Sequence, residues 1–308
     1  MKILVAGGAG FLGSHLVEEL LQERHEIHVV DDLSSGLIKN IQRVLDKITF
    51  SEADIIDFKT SQKYDIIINL ASRASRVEWE TYPVEVALTN SVGNDNLIRL
   101  ALDSNALYVF ASTSEVYGSP ELVPTPESYL GRVSSVGSRS PYDESKRFGE
   151  ALVKAYGIEY KLRHIILRLF NTYGPRMRGG DLYGRVLDRF IQQAISGSDL
   201  TVYGDGNQTR SFTYVKDTVK GIMAVIKDGK EGGIYNIGND EETKIRDLAM
   251  LIKQITKSNS EIVYRPLPPD DPARRAADIS QIRELGWNPA VGLQEGIQLM
   301  LSYESEKD

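Results

Sequence analysis

Short apolar runs and amphipathic stretches alternate along the first half of the chain. Ile3–Ala6, Ile27–Val30, Ile66–Leu70, Tyr108–Ala111 and Ile165–Leu169 are continuous, β-rich and short, the pattern of strands buried on both faces. Between them, Phe11–Glu23, Pro83–Leu102 and Pro141–Tyr156 repeat apolar residues at helical spacing. Proline opens the latter two, at a first-turn position where its missing N–H would have no partner anyway. Strands alternating with helices predict a parallel sheet covered on both faces. The rhythm changes after Asn171. Gly179, Gly180, Gly184, Gly204, Gly206 and the prolines of 266–272 punctuate short strands and helices expected near Tyr183–Ile195, Ile245–Thr256 and Leu293–Leu301. The expectation is a larger domain over residues 1–170, a smaller α/β subdomain over 171–308 with some interleaving, and a frayed tail from Glu304 to Asp308.

The strand Lys2–Ala6 runs into Gly7-Gly8-Ala9-Gly10-Phe11-Leu12-Gly13, and a helix follows at once. The first glycine of such a loop permits a tight turn, the second lets backbone approach a pyrophosphate, and the third lets helix and strand pack closely. The helix N-terminus then offers free N–H groups to the phosphates. Asp31 closes the next strand, 18 residues beyond Gly13, where a carboxylate can accept hydrogen bonds from ribose hydroxyls. That carboxylate would repel a 2′-phosphate, which favours NAD over NADP; Asp32 is the alternative partner. A glycine-rich turn is the bland alternative, but the strand before, the helix after and the acid together describe a dinucleotide site in a Rossmann-type, doubly wound sheet.

Tyr142 and Lys146 stand four apart on an expected helix and share one face. An ammonium beside a phenol lowers its pKa, so that tyrosinate can take a proton from a sugar hydroxyl. Spacing alone carries little weight, since Tyr303 and Lys307 repeat it in the tail. Tyr142 differs in following the strand Tyr108–Ala111, whose end carries Ser112-Thr113-Ser114-Glu115. Active sites of parallel sheets collect at such strand ends. Helix capping or turn chemistry is the competing role for any one of the three hydroxyls.

Composition narrows the setting. The chain has 308 residues, no cysteine and a net charge of -7, which excludes disulfide scaffolds, cysteine nucleophiles and thiolate metal sites and argues against nucleic acid as a partner. No apolar run reaches the roughly 18 residues of a membrane span. The glycines, Glu18 and Glu19 break the apolar N-terminal stretch that would otherwise mimic a signal peptide, so a cytoplasmic protein is expected. None of His15, His25, His28 and His164 has a metal-like partner spacing, and no metal is expected.

These residues resemble the extended short-chain dehydrogenase/reductase family, in particular its NAD-dependent nucleotide-sugar epimerases, dehydratases and decarboxylases. The resemblance runs end to end, through residues 7–13, 90–96 (NSVGNDN), 112–118 (STSEVYG), 142–146, 168–175 (RLFNTYGP), 203–210 (YGDGNQTR), 212–217 (FTYVKD) and 235–238 (YNIG). Three segments look most like the UDP-glucuronate decarboxylases: Glu115 where 4-epimerases usually carry a small residue, residues 131–139 (GRVSSVGSR) leading into SPYDESKR, and residues 270–279 (DDPARRAADI). Arg73 departs from the proline usual there, and Ser134-Ser135 from Asn-Pro.

The resemblance implies a transient 4-keto sugar. Tyr142 would deprotonate the C4 hydroxyl, with hydride passing to NAD, and Lys146 would keep the tyrosinate accessible and bind the nicotinamide ribose. Thr113 and Ser114 would hold the C4 oxygen, and Glu115 would orient or protonate at C5. Arg275, with Arg274 as the alternative, would engage the carboxylate or the C4 oxygen. Gly7, Gly10, Phe11, Leu12, Gly13, Asp31, Asp54, Ile55, Leu70, Ala71 and Asn90 would surround the cofactor. Asn171, Arg185, Tyr203 and Arg210 would bind the UDP-sugar. Competing readings are a solvated strand-end acid for Glu115, a surface ion-pair cluster with Asp270, Asp271 and Asp278 for either late arginine, a loop acid for Asp54 and a solvated helix face for Arg185. A homodimer packed through Pro83–Leu102 and Pro141–Tyr156 is also implied. The alternatives are a UDP-hexose 4-epimerase, a 4,6-dehydratase, which typically has aspartate at the place of Ser114, and a non-catalytic NAD-sensing protein.

Overall fold

The computed structural model describes residues 1–177, 186–267 and 273–305. Its strands are β1 (Lys2–Ala6), β2 (Glu26–Asp31), β3 (Thr49–Glu52), β4 (Ile66–Asn69), β5 (Leu107–Thr113), β6 (His164–Leu169), β7 (Thr172–Tyr173), β8 (Leu200–Tyr203), β9 (Thr209–Arg210), β10 (Thr213–Tyr214), β11 (Ile234–Ile237), β12 (Thr243–Lys244), β13 (Ile262–Arg265) and β14 (Arg274–Arg275). Its helices are α1 (Phe11–Gln22), α2 (Arg76–Thr81), α3 (Pro83–Leu88), α4 (Asn94–Ser104), α5 (Ser140–Glu159), α6 (Val186–Ile195), α7 (Val215–Asp228), α8 (Ile245–Thr256), α9 (Ser280–Arg283) and α10 (Leu293–Ser305).

A seven-stranded parallel sheet in the order β11-β6-β5-β4-β1-β2-β3 organises the fold. Alternation along each strand feeds two separate cores, as a pleated backbone requires. β1 sends Ile3 and Val5 to the side covered by Leu16, Val17 and Leu20 of α1 and Val219, Ile222 and Val225 of α7. It sends Leu4 and Ala6 to the side covered by Leu97 and Ile98 of α4 and Val153 of α5. Every residue of β5 is buried, which is why its sequence reads as an unbroken apolar run before the polar end. From β1 the chain builds outward through β2 and β3, then returns to the other side of β1 with β4. Ligands of such sheets bind outside the C-terminal strand ends at this reversal.

Several elements depart from the periodicity. The single helix expected over Pro83–Leu102 is interrupted at Thr89–Gly93 by a π-turn, which seats Asn90 in the interior. β3 gives no strand signal because TFSE has little apolar character. β11 carries the YNIG segment back into the large sheet, parallel to β6. α7 follows the FTYVKD segment directly, and its spacing of Val215, Val219, Ile222 and Val225 is helical. The remaining C-terminal residues form a lobe around Phe190, Ile191, Leu200, Leu248 and Ile297, with β9 at the centre of a small sheet in the order β12-β9-β14. Among the described residues no helix is long and apolar enough to cross a membrane.

Candidate active site

A cavity of about 770 Å³ opens over the C-terminal ends of β1, β4, β5 and β6, and the small lobe closes it with Tyr203, Arg210 and Arg275. Gly7, Gly10, Phe11, Leu12 and Gly13 form one wall. Gly7 has φ of +75°, and a β-carbon on it would lie 2.8 Å from the Ala71 nitrogen. A β-carbon on Gly13 would lie 2.1 Å from the Gly7 carbonyl oxygen, so only glycine lets α1 start this close to β1. α1 has no side-chain cap and no acid in its first turn, which leaves its N–H groups facing the cavity. Asp31 stands behind this loop, buried, accepting from the Ala9 and Leu33 N–H groups at 2.9 Å each. Burial raises its pKa and these bonds oppose the rise. A carboxylate has about four acceptor positions, so two backbone bonds leave capacity for ribose hydroxyls. Asp32 is exposed and turns to Ser34 instead. The uncapped helix end, the glycine cradle and the acid together fit a dinucleotide pyrophosphate and ribose.

The opposite wall is built by β5 and α5. Tyr142 and Lys146, one helical turn apart, are both buried and both line the cavity. Burial raises the pKa of the Tyr142 phenol, and the neighbouring Thr113 side chain opposes the rise. Lys146 donates to the Ala111 carbonyl at 2.8 Å, and burial pushes the amine down to about 7. Thr113 also accepts from the Glu115 N–H at 3.2 Å, capping the turn Ser114–Tyr117. Ser114 is buried in that turn and lies off the cavity wall.

Glu115 is buried between two guanidinium groups. Arg275 grips both carboxylate oxygens, one at 2.9 Å, and Arg139 pairs with it from the N-terminus of α5. Burial alone would raise the Glu115 pKa, but the two arginines outweigh it and hold the carboxyl below its ordinary range. Which late arginine reaches the site follows from strand register. β14 runs parallel to β9 with Arg275 opposite Arg210 and Arg274 opposite Thr209. Partners in register share a face. Arg275 and Arg210 therefore point together into the cavity, while Arg274 and Thr209 both bind Glu242 on the far side.

The other expected residues divide. Asn171, Tyr203 and Leu70 line the cavity. Asp54, Ile55, Ala71 and Asn90 do not. Asp54 accepts from the Ile56 N–H in an exposed turn, Ile55 packs in the core, Ala71 donates to Asn69, and Asn90 donates to Ser145 at 3.0 Å. Arg185 lies outside the described residues, as do Asp270, Asp271 and Lys307.

Sequence reasoning missed Arg139, Asp143, Trp79 and Arg176. Positions 139, 142, 143 and 146 follow the i, i+3, i+4, i+7 spacing of one helix face, so the first two were legible beside the tyrosine–lysine pair. Asp143 is buried, lies 3.4 Å from Arg139, and has a second oxygen without a hydrogen-bond partner among the described residues. Burial, then the neighbouring Glu115 carboxylate, raises its pKa. Arg176 bonds Glu18 of α1 at 2.5 Å and lines the cavity. Trp79, on α2, stacks on Tyr142 and had no local signal at all.

Residues 3–238 match the model of the NAD-dependent epimerase/dehydratase family. UDP-glucuronic acid decarboxylase 6 of Arabidopsis thaliana is 42% identical over 306 residues, covering 97% of this chain and 88% of that protein. Among solved structures, the UDP-glucose 4-epimerase of Thermotoga maritima, with UDP-glucose, aligns with a TM-score of 0.92 at 31% identity, covering 100% of this chain and 99% of that one. The UDP-glucuronic acid 4-epimerase of Bacillus cereus, in complex with UDP-glucuronic acid and NAD, aligns with a TM-score of 0.90 at 29% identity, covering 100% of both chains.

Proposed function

Because the chain belongs to the NAD-dependent epimerase/dehydratase family, we propose that it converts UDP-glucuronate to UDP-xylose by decarboxylation through a 4-keto sugar. The observation that carries this reading is the buried Glu115 carboxylate, held by Arg275 and Arg139 within the same cavity as Tyr142. A 4-epimerase needs a base at C4 and nothing at C5. An arginine-held acid beside that base is machinery for a second centre.

The glycine loop and Asp31 would hold NAD, which when bound would supply reversible hydride exchange at C4 with no net redox. The side chains do the rest. Tyr142 accepts the proton of the C4 hydroxyl and Thr113 holds the oxygen, while Lys146 steadies the phenolate. A 4-keto uronate is a β-keto acid: its bond to the carboxyl carbon breaks, carbon dioxide leaves, and the electron pair becomes a C4–C5 enolate. Arg275 stabilises the developing charge on oxygen, and the Glu115 carboxylate orients a water that gives its proton to C5, the hydroxide left behind being neutralised by solvent. Tyr142 then returns its proton to the C4 oxygen. Asn171, Arg210 and Tyr203 hold the nucleotide end, where an arginine's planar fork suits a diphosphate.

The partner we infer is a second copy of this chain. α3 and α5 expose Val84, Leu88 and Phe148 beside Pro83 and Pro141, an apolar groove continuous across both helices. The acidic, cysteine-free composition suits the cytoplasm.

A proton NMR time course with UDP-glucuronate and NAD tests the reaction. Decarboxylation yields UDP-xylose with two C5 protons. UDP-galacturonate with its carboxylate retained would make the protein a 4-epimerase instead.

A further inference from the structure

Trp79 is buried outside the large hydrophobic cores. Among the described residues its buried cluster contains Val86 and Tyr142 and is separate from the large cores, whereas the chain's other tryptophan, Trp287, is embedded in one of them. The Trp79 and Tyr142 rings are stacked with centroids 4.3 Å apart and planes 12° from parallel. The indole is itself anchored: its N–H donates to the Arg73 carbonyl at 2.9 Å. α2 is closed at its start by a reciprocal capping box between Ser75 and Glu78, and Glu78 also binds Ser35 in the loop after β2. α2 is thereby tied to the glycine-loop side of the cavity at one residue and to α5 at the next. The Arg139 guanidinium lies 5.3 Å from the Trp79 ring centroid while pairing with Glu115 and Asp143.

We propose that Trp79 is the positioning residue of Tyr142, fixing the plane of the phenol, and that Arg139 links this stack to Glu115 so that the groups acting at C4 and C5 are held as one unit. The catalytic part of this inference rests on the function proposed above; the stack and its coupling do not. A phenol can otherwise swing about its side-chain torsions, and a misplacement of about 1 Å can cost on the order of 100-fold in rate. A flat aromatic partner at this separation removes that freedom and also keeps water from the ring, so its loss would ease ionisation of Tyr142.

The first test needs no turnover. The difference between wild-type and Trp79→Phe fluorescence isolates Trp79 emission. Raised through alkaline pH, that emission should fall as the stacked tyrosinate forms and quenches it, and the fall should vanish in Tyr142→Phe. An identical titration in Tyr142→Phe overturns the coupling. The second test is kinetic. Trp79→Leu keeps apolar bulk but no plane, and should lower kcat by on the order of 10- to 100-fold with little change in KM. It should also move the pH limb owed to Tyr142 downward, while Trp79→Phe should restore most of the rate. A Trp79→Leu enzyme with wild-type kcat and an unmoved limb refutes the positioning role. If Trp79→Leu does not fold by circular dichroism, Trp79→Phe and the fluorescence comparison decide. Absence of any UDP-xylose from the wild type would count against the proposed reaction and leave the outcome of the fluorescence titration standing.

Discussion

Tyr142 and Lys146 are buried side by side, and burial moves them in opposite directions, the phenol up and the amine down to about 7. Folded Lys146 thus releases its proton near 7, whereas the unfolded chain holds it to about 10.5. Unfolding takes up a proton between those values, so this residue makes stability rise with pH across that interval. Lys146→Met should therefore be stabilised relative to wild type most strongly below pH 7, with the gap closing by pH 10.5, in paired thermal melts. A gap independent of pH would mean that the buried amine is not the cause. Glu115 makes a different prediction. Glu115→Gln keeps the shape and removes the charge that Arg275 and Arg139 hold. It should abolish carbon dioxide release while oxidation at C4, followed by reduced-cofactor absorbance, persists. Loss of both steps together would assign Glu115 to C4 or to folding. Of these residues, Tyr142, Lys146 and Glu115 were readable because strand-end position and helical spacing are local properties. Arg139 obeys the same helical spacing and was readable on the same grounds. Trp79 was not readable: it meets Tyr142 from another helix, and no local pattern records that meeting.

At the scale of elements, the loop between β1 and α1 and the register between β9 and β14 decide what the cavity contains. Gly13→Ala would drive a β-carbon to 2.1 Å from a backbone oxygen that cannot move without shifting β1. It should lose about 1–3 kcal/mol, the usual range for overpacking, together with most cofactor affinity, by urea unfolding and NAD titration. Retained affinity would place the dinucleotide elsewhere. The register separates two adjacent arginines. Arg275→Ala leaves a buried carboxylate with Arg139 as its remaining ion-pair partner among the described residues, and should cost about 3 kcal/mol and the decarboxylation activity. Arg274→Ala breaks a half-exposed pair with Glu242 and should change neither by more than a few-fold or about 1 kcal/mol. Equal effects would refute the facing read from the register. Other family segments prove architectural: Asp217 of FTYVKD accepts from the N–H groups of Ala290 and Val291, and Asn236 of YNIG accepts from Tyr117.

For the whole molecule, the exposed apolar groove between α3 and α5 predicts association. Phe148 is 51% exposed and Val84 64%, so Phe148→Glu should convert a dimer to a folded monomer in sedimentation at micromolar concentration. A wild type that is already monomeric would remove that face as an interface. The chain's own sequence determined the alternating strands and helices, the glycine loop, the acid that ends β2 and the tyrosine–lysine pair, because each depends on residues within a few turns or on one strand-to-helix step. Tertiary structure alone decided that Arg275 rather than Arg274 meets Glu115, 160 residues away, and that Trp79 covers Tyr142. It also decided that residues after Asn171 complete the large sheet through β11. Those outcomes depend on strand register and on how separate elements dock, and a one-residue shift in register would turn each side chain to the opposite face without altering any local pattern.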